Sequence, residues 1–167
     1  MVEMALPEDH NRIIDELKQA IGEHNVMEPK IARHRRIFLT VPSDHLKDAI
    51  LQLQKAGINH LSTISGVDTG DSLMAVYHFT RQGAGQGLTI SIRVKATTEN
   101  PKLPSITEII PAATFYEREV HDLFGISFDG HPDLSKLELS DDWPEDLHPL
   151  LKKWKPEDIR KRLDQVG

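Results

Sequence analysis

Apolar positions recur on the helical period near the start of the chain, where Ile13, Ile14, Leu17 and Ile21 share one face behind Pro7-Glu8-Asp9. With Gly22 as a stop, this predicts an amphipathic helix over residues 8–21. The pattern then shortens, and residues 24–28 and 36–41 read as two strands, the second apolar enough through Ile37, Phe38, Leu39 and Val41 to be central. The basic run Lys30, Arg33, His34, Arg35 and Arg36 between them reads as a solvated turn and strand end. Helical spacing returns after Pro42-Ser43-Asp44, with Ser43 as N-cap, Leu46, Ile50, Leu51 and Leu53 as the buried stripe, and Gly57 as the end. Three strands follow. Residues 58–67 and 73–80 flank a turn at 68–71, with Val76, Tyr77 and Phe79 inside, and residues 88–96 alternate Leu88, Ile90, Ile92 and Val94 with polar side chains. That alternation predicts one buried and one wet face. The glycines of residues 81–87 lie between two strands and do not open a helix, so they read as a hairpin tip, not a phosphate cradle.

Helix, two strands, helix and three strands predict an α+β fold over residues 1–96, a two-layer sandwich whose mostly antiparallel sheet carries its helices on one face. From residue 97 the character changes. Pro101, Pro104 and Pro111 hold a connector extended, and a helix over residues 112–124 ends at Gly125, completing a middle span of residues 97–125. On the helical period Phe115, Val120, Leu123 and Phe124 fall to an apolar side, leaving Glu117, Arg118, Glu119, His121 and Asp122 outside. Beyond it, Ile126, Phe128, Leu134, Leu137 and Leu139 are spaced too irregularly for one element, and prolines at 132, 144 and 149 interrupt them. Residues 126–167 therefore read as an extended tail that wraps its own domain or, by preference, a partner, closed by a short helix over 156–165 with Glu157 and Asp158 at its positive end.

Composition removes several function classes. The 167 residues include no cysteine, which excludes disulfides, thiolate zinc sites, cysteine-held iron–sulfur clusters and a thiol nucleophile. A net charge of −6 argues against a general nucleic-acid binder. No apolar run approaches the roughly 20 residues of a membrane helix and no signal-peptide pattern opens the chain, so a cytoplasmic protein without direct membrane insertion is expected.

Catalytic chemistry finds little support. Glu117 and His121 at i and i+4 could face a metal with His131 or His148, but there is no HExxH spacing and Arg118 intervenes. Glu117 and Glu119 point apart on a helix, and Ser65 lacks the G-x-S-x-G pattern. No catalytic, cofactor or metal residue is assigned. The same residues serve better as a subunit interface, comprising Glu117, Arg118, Glu119, His121, Asp122, Phe128, His131, Asp133, Leu134 and Trp143.

The run YEREVHDLFGISFDGHPDL, preceded by PKLPSITEIIPAATF and followed by DDWPEDLHPLLK, resembles the signature of the 30-kilodalton subunit family of complex I. That family also supplies the equivalent subunit of energy-converting membrane-bound nickel–iron hydrogenases. The strong part of the resemblance covers residues 100–152 and places Glu117, Arg118, Glu119, Asp122, Gly125, His131, Pro132 and Asp133 at shared positions. It implies a subunit without a redox centre of its own, packed on a large catalytic-type subunit and a small iron–sulfur subunit on the cytoplasmic side of a membrane. The iron–sulfur clusters, and the NiFe centre or quinone, then belong to those partners. Two departures stand out: Ser135-Lys136 stands where respiratory members carry a pair of arginines, and Pro149-Leu150-Leu151-Lys152-Lys153 stands where they carry Pro-Leu-Arg-Lys-Asp. They favour the hydrogenase-like branch. The 30-kilodalton subunit of a respiratory NADH-quinone oxidoreductase, a small independent metal-dependent enzyme and a free binding module remain the alternatives.

Overall fold

The computed structural model describes residues 7–33, 35–81, 87–96 and 99–165. Helix α1 (Pro7–Ile21) leads into strands β1 (Met27–Arg33) and β2 (Arg36–Thr40), then helix α2 (Leu46–Lys55) and strands β3 (His60–Asp68), β4 (Leu73–Thr80) and β5 (Thr89–Ala96). The five strands form one sheet in the order β1-β2-β5-β4-β3, antiparallel throughout except for the parallel pair β2 and β5. This is the expected mostly antiparallel α+β arrangement. The β4–β5 pair runs in unbroken register from Leu73 opposite Ala96 to Thr80 opposite Thr89, so residues 81–88 do join a hairpin. Its tip, residues 82–86, lies outside the described residues.

Helices α1 and α2 lie against each other, and Ile13, Leu17, Leu46, Ile50 and Leu53 share one core with Leu39, Tyr77, Phe79, Ile90 and Ile92 of the sheet. Each such side chain contributes about 1.5–3 kcal/mol through its burial. The end of α2 is fixed by Gly57 in the left-handed region, φ 76°. There Gly57 N–H bonds Gln54 O and Ile58 N–H bonds Leu53 O, closing a Schellman motif.

Several expectations need correction. The first strand lies at Met27–Arg33, not at 24–28, where Glu23–Asn25 instead makes a 3-10 turn. Lys30 therefore stands in an edge strand and not in a turn, and Lys30 pairs opposite Phe38. An edge strand tolerates charge on its open side, which hides it from a search for apolar alternation. Ser43 does not cap α2, which begins at Leu46 after a 3-10 turn over Ser43–His45. Leu51 is 42% exposed and Ala49 takes its place, because Leu46, Ala49, Ile50 and Leu53 make the true i, i+3, i+4, i+7 stripe. The outer face of β5 is only partly wet. Ser91 is buried, its hydroxyl 2.9 Å from Nδ1 of His78 on β4. Burial, with the charge of Arg36, holds the His78 imidazole below its usual pKa.

The connector and tail contain a second, two-stranded parallel sheet made by β6 (Lys102–Pro104) and β7 (Ser127–Asp129), which the sequence pattern does not reveal. Ser127 N–H bonds Pro101 O at 2.8 Å and Ser105 N–H bonds Asp129 O at 2.9 Å. These strands bracket helix α3 (Ala113–Phe124), and Leu103, Ile106, Val120, Ile126 and Phe128 join the same core as the five-stranded sheet. The last helix among the described residues is α4 (Pro156–Leu163), opened by Pro156 as expected.

Candidate functional site

Helix α3 stops where its sequence says it should. Gly125 adopts φ 75° and its N–H bonds His121 O at 2.8 Å. A side chain at 125 is doubly refused, since a Cβ there would come within 2.5 Å of the His148 ring folded over it from the tail. On its inner side α3 packs against β3, where the Phe124 ring occupies the space that a Cβ on Gly66 would need.

The faces of α3 are not those the apolar pattern predicts. Phe115 is 61% exposed, whereas Glu117 and Asp122 are 0% and 3% exposed. Each buried carboxylate is compensated by hydrogen bonds that reach it from distant parts of the chain. Glu117 accepts from the Ser105 hydroxyl at 2.7 Å and from Ile106 N–H at 2.8 Å, and Ser105 Oγ is 2.8 Å from the Thr107 hydroxyl. Burial pushes the Glu117 carboxyl up to about 6, against the opposing pull of those two bonds and of the Lys47 charge. Burial and the nearby Glu117 charge raise the Tyr77 phenol well above its usual pKa.

Asp122 fastens the tail. One of its oxygens, Oδ2, accepts the consecutive amides of Leu137, Glu138 and Leu139 at 2.7, 2.9 and 3.3 Å. Convergent amides of this kind form a nest for an anion. Arg118, one turn earlier, donates from Nε to Ser135 O at 2.8 Å and from Nη2 to Ser135 Oγ and Lys136 O at 3.0 and 2.7 Å. Lys136 continues the chain of contacts by donating to Asp141 O and Trp143 O, and the Trp143 indole N–H donates to Leu147 O. Further on, His148 lies 2.8 Å from Asp122 O, Leu150 N–H bonds Leu123 O, and Lys152 N–H bonds an Asp68 oxygen at 2.8 Å. That last bond holds the Asp68 carboxyl below its usual pKa.

Part of the tail is thus covered within this chain: Phe128 and Leu147 are buried, and Leu134 and Trp143 are half-buried. The charged belt of α3 supplies the anchors. His131 faces the start of α3, with Nε2 3.2 Å from Thr114 O and Nδ1 accepting from Asp133 N–H. Asp133 in turn holds the Ser135 amide, which with the Ser135 hydroxyl lowers the Asp133 pKa. His121 lies 3.0 Å from Ile126 O. Among the described residues no three His, Asp or Glu side chains are grouped to hold a metal. Of the interface residues expected from sequence, Glu117, Asp122 and Phe128 are enclosed, while Arg118, Glu119, His121, His131, Leu134 and Trp143 are half-buried and Asp133 is exposed. Sequence reasoning missed Ser105 and Ile106, which receive Glu117, and Asp68, which receives the tail. None carries a local signal, since each partner stands 11 or more positions away.

Residues 39–159 match the family described as respiratory-chain NADH dehydrogenase, 30 Kd subunit. NADH-quinone oxidoreductase subunit 5 of Thermus thermophilus is 35% identical over 128 residues, covering 70% of this chain and 60% of that protein. Formate hydrogenlyase subunit 5 of Escherichia coli K12 is 34% identical over 119 residues, covering 70% of this chain and 21% of that protein. Across eight of the curated relatives it matches, the chain spans between 20% and 62% of their length. Among solved structures, a chain of the membrane-bound sulfane sulfur reductase, an archaeal respiratory membrane complex, shares the fold with a TM-score of 0.78. It is 24% identical, and the match covers 93% of this chain and 91% of that one. No helix among the described residues is long and apolar enough to cross a membrane.

Proposed function

The chain belongs to the 30 Kd subunit family of respiratory-chain NADH dehydrogenase, and from that premise we propose that it is a non-catalytic scaffold subunit in the peripheral arm of a complex I-like oxidoreductase. The carrying observation is that the family match runs through α3 and the tail that α3 fastens, as far as residue 159. A scaffold of this kind presents a fixed surface. Asp122, Arg118 and Lys136 hold residues 133–152 in one shape before any partner arrives, which lowers the ordering cost of association. The partners are a large catalytic-type subunit and a small iron–sulfur subunit, on the cytoplasmic side of the membrane. With no cysteine in the chain, the clusters are held by those neighbours, as is the NiFe centre or quinone.

Within the family, similarity to formate hydrogenlyase subunit 5 supports a hydrogenase-like host complex. Similarity to the Thermus NADH-quinone oxidoreductase subunit supports the second reading, a quinone-reducing complex. The departures at Ser135 and Lys136 bear less on this choice than their positions suggest, because both groups bond within the chain. Deleting the gene in its own host is expected to abolish one membrane activity, hydrogen evolution or quinone reduction, with restoration by a plasmid copy. Which activity disappears names the branch. Membranes that keep both activities undiminished would overturn the proposal.

A further inference from the structure

Resting on that subunit reading, we infer that the outward stripe of α3 formed by Phe115, Glu119 and Leu123, continued by Leu150, docks an arginine and its apolar neighbours on a different polypeptide of the complex. The three α3 residues recur at i, i+4 and i+8 and so lie along one side of the helix. Phe115 and Leu150, 61% and 51% exposed, are the most exposed large apolar side chains among the described residues. The bond of 3.1 Å from Leu150 N–H to Leu123 O sets the tail beside the last turn of α3, so the stripe continues across two segments.

At its centre a cavity of about 220 Å³ opens between α3 and β3, lined by Glu119, Val120, Leu123, Phe124, Leu150 and Ser65 among others. Glu119 sets its chemistry. Glu117, Arg118 and Asp122 are all engaged inside the chain, but the half-buried Glu119 carboxylate has no hydrogen-bond or ion-pair partner among the described residues. A partly desolvated carboxylate against apolar walls is costly until a cation meets it. A guanidinium suits this site better than an ammonium, because its fork can grip both oxygens while its flat, weakly hydrated face lies against Phe124 or Leu150.

The occupant is not a second copy. A two-fold contact would set the stripe against itself and bring two unpaired Glu119 carboxylates together, in a chain already at −6. Nucleic acid fails for the same reason of charge.

The test uses the full tagged chain expressed in its own host, with mild-detergent purification and quantitation of the co-eluting subunits. Glu119→Lys is expected to recover them about tenfold less or worse, as for truncation of a buried interfacial charge. Asp48→Lys on α2, the same charge change at an exposed site, should recover them like the wild type. Thermal unfolding of both variants checks that the fold is intact. A photo-reactive residue placed at Phe115 should cross-link to a peptide of another subunit containing arginine, and reversing that arginine to glutamate should restore Glu119→Lys. Undiminished recovery by Glu119→Lys, or a cross-link to a second copy of this chain, would overturn this inference alone. A wild-type chain that elutes without partners would overturn the subunit reading and this inference with it.

Discussion

Asp122→Ala is expected to release the tail. The alanine removes the single oxygen that gathers the amides of Leu137, Glu138 and Leu139, and those amides lie too close to α3 to recover full solvation. Bonds to a charged acceptor contribute roughly 1.5–3 kcal/mol each when isolated, but three sharing one oxygen do not add, so a loss of about 3 kcal/mol is the reasonable scale. Hydrogen exchange at residues 137–139 reads it most directly, with protection falling about a hundredfold, since each tenfold corresponds to about 1.4 kcal/mol. Cleavage by added protease should move into residues 133–152 while the five-stranded sheet keeps its protection. Asp122→Asn retains an acceptor without the charge and should lie between the two. Unchanged protection in the alanine variant would mean that Arg118 and His148 hold the tail unaided.

Glu117 carries the second large effect, and its sign is set by the direction of its pKa. The folded value of about 6 stands above the ordinary 4.5, so the folded chain holds a proton that the unfolded chain has released. The associated stability is present in full below pH 4.5 and is lost as pH rises through 6. A gap of that size corresponds to about 2 kcal/mol. Glu117→Gln cannot titrate, yet it keeps an acceptor for Ile106 N–H and a polar partner for Ser105. In urea unfolding from pH 4.5 to 7.5, the difference in stability should therefore shift in favour of the glutamine variant by about 2 kcal/mol. A flat difference, or one favouring the wild type at high pH, would contradict the assignment. Glu117→Ala should be destabilised by about 3 kcal/mol at pH 4.5, because Ile106 N–H is left buried without a partner, and that deficit should shrink towards pH 7.5 as the wild type loses the stability tied to its own carboxyl.

Those two carboxylates also show where sequence reading succeeds and where it stops. Strands β4 and β5 were legible because Val76, Tyr77, Phe79, Ile90 and Ile92 alternate or cluster locally, and α3 was legible to its last residue because Gly125 marks its end. Local pattern says nothing about an amide 15 positions away. A helical-face argument ranks Glu117 and Asp122 as outward and Phe115 as inward, whereas Ile106 N–H and the amides of residues 137–139 reverse that order. The β6–β7 pair is hidden for the same reason, being three residues on each side with a helix between them. Its partners meet only in three dimensions. The signature run itself was readable as a family resemblance, but not that its charges bind the chain's own tail.

Purification of the tagged chain from its host in mild detergent, with mass spectrometry of what elutes beside it, decides the scaffold role. A large catalytic-type subunit should elute with it, together with a small, cysteine-rich iron–sulfur subunit in equal amounts. Recovery of the chain alone, with zinc or nickel bound to it, would contradict the scaffold role and reopen the reading of α3 as a metal site.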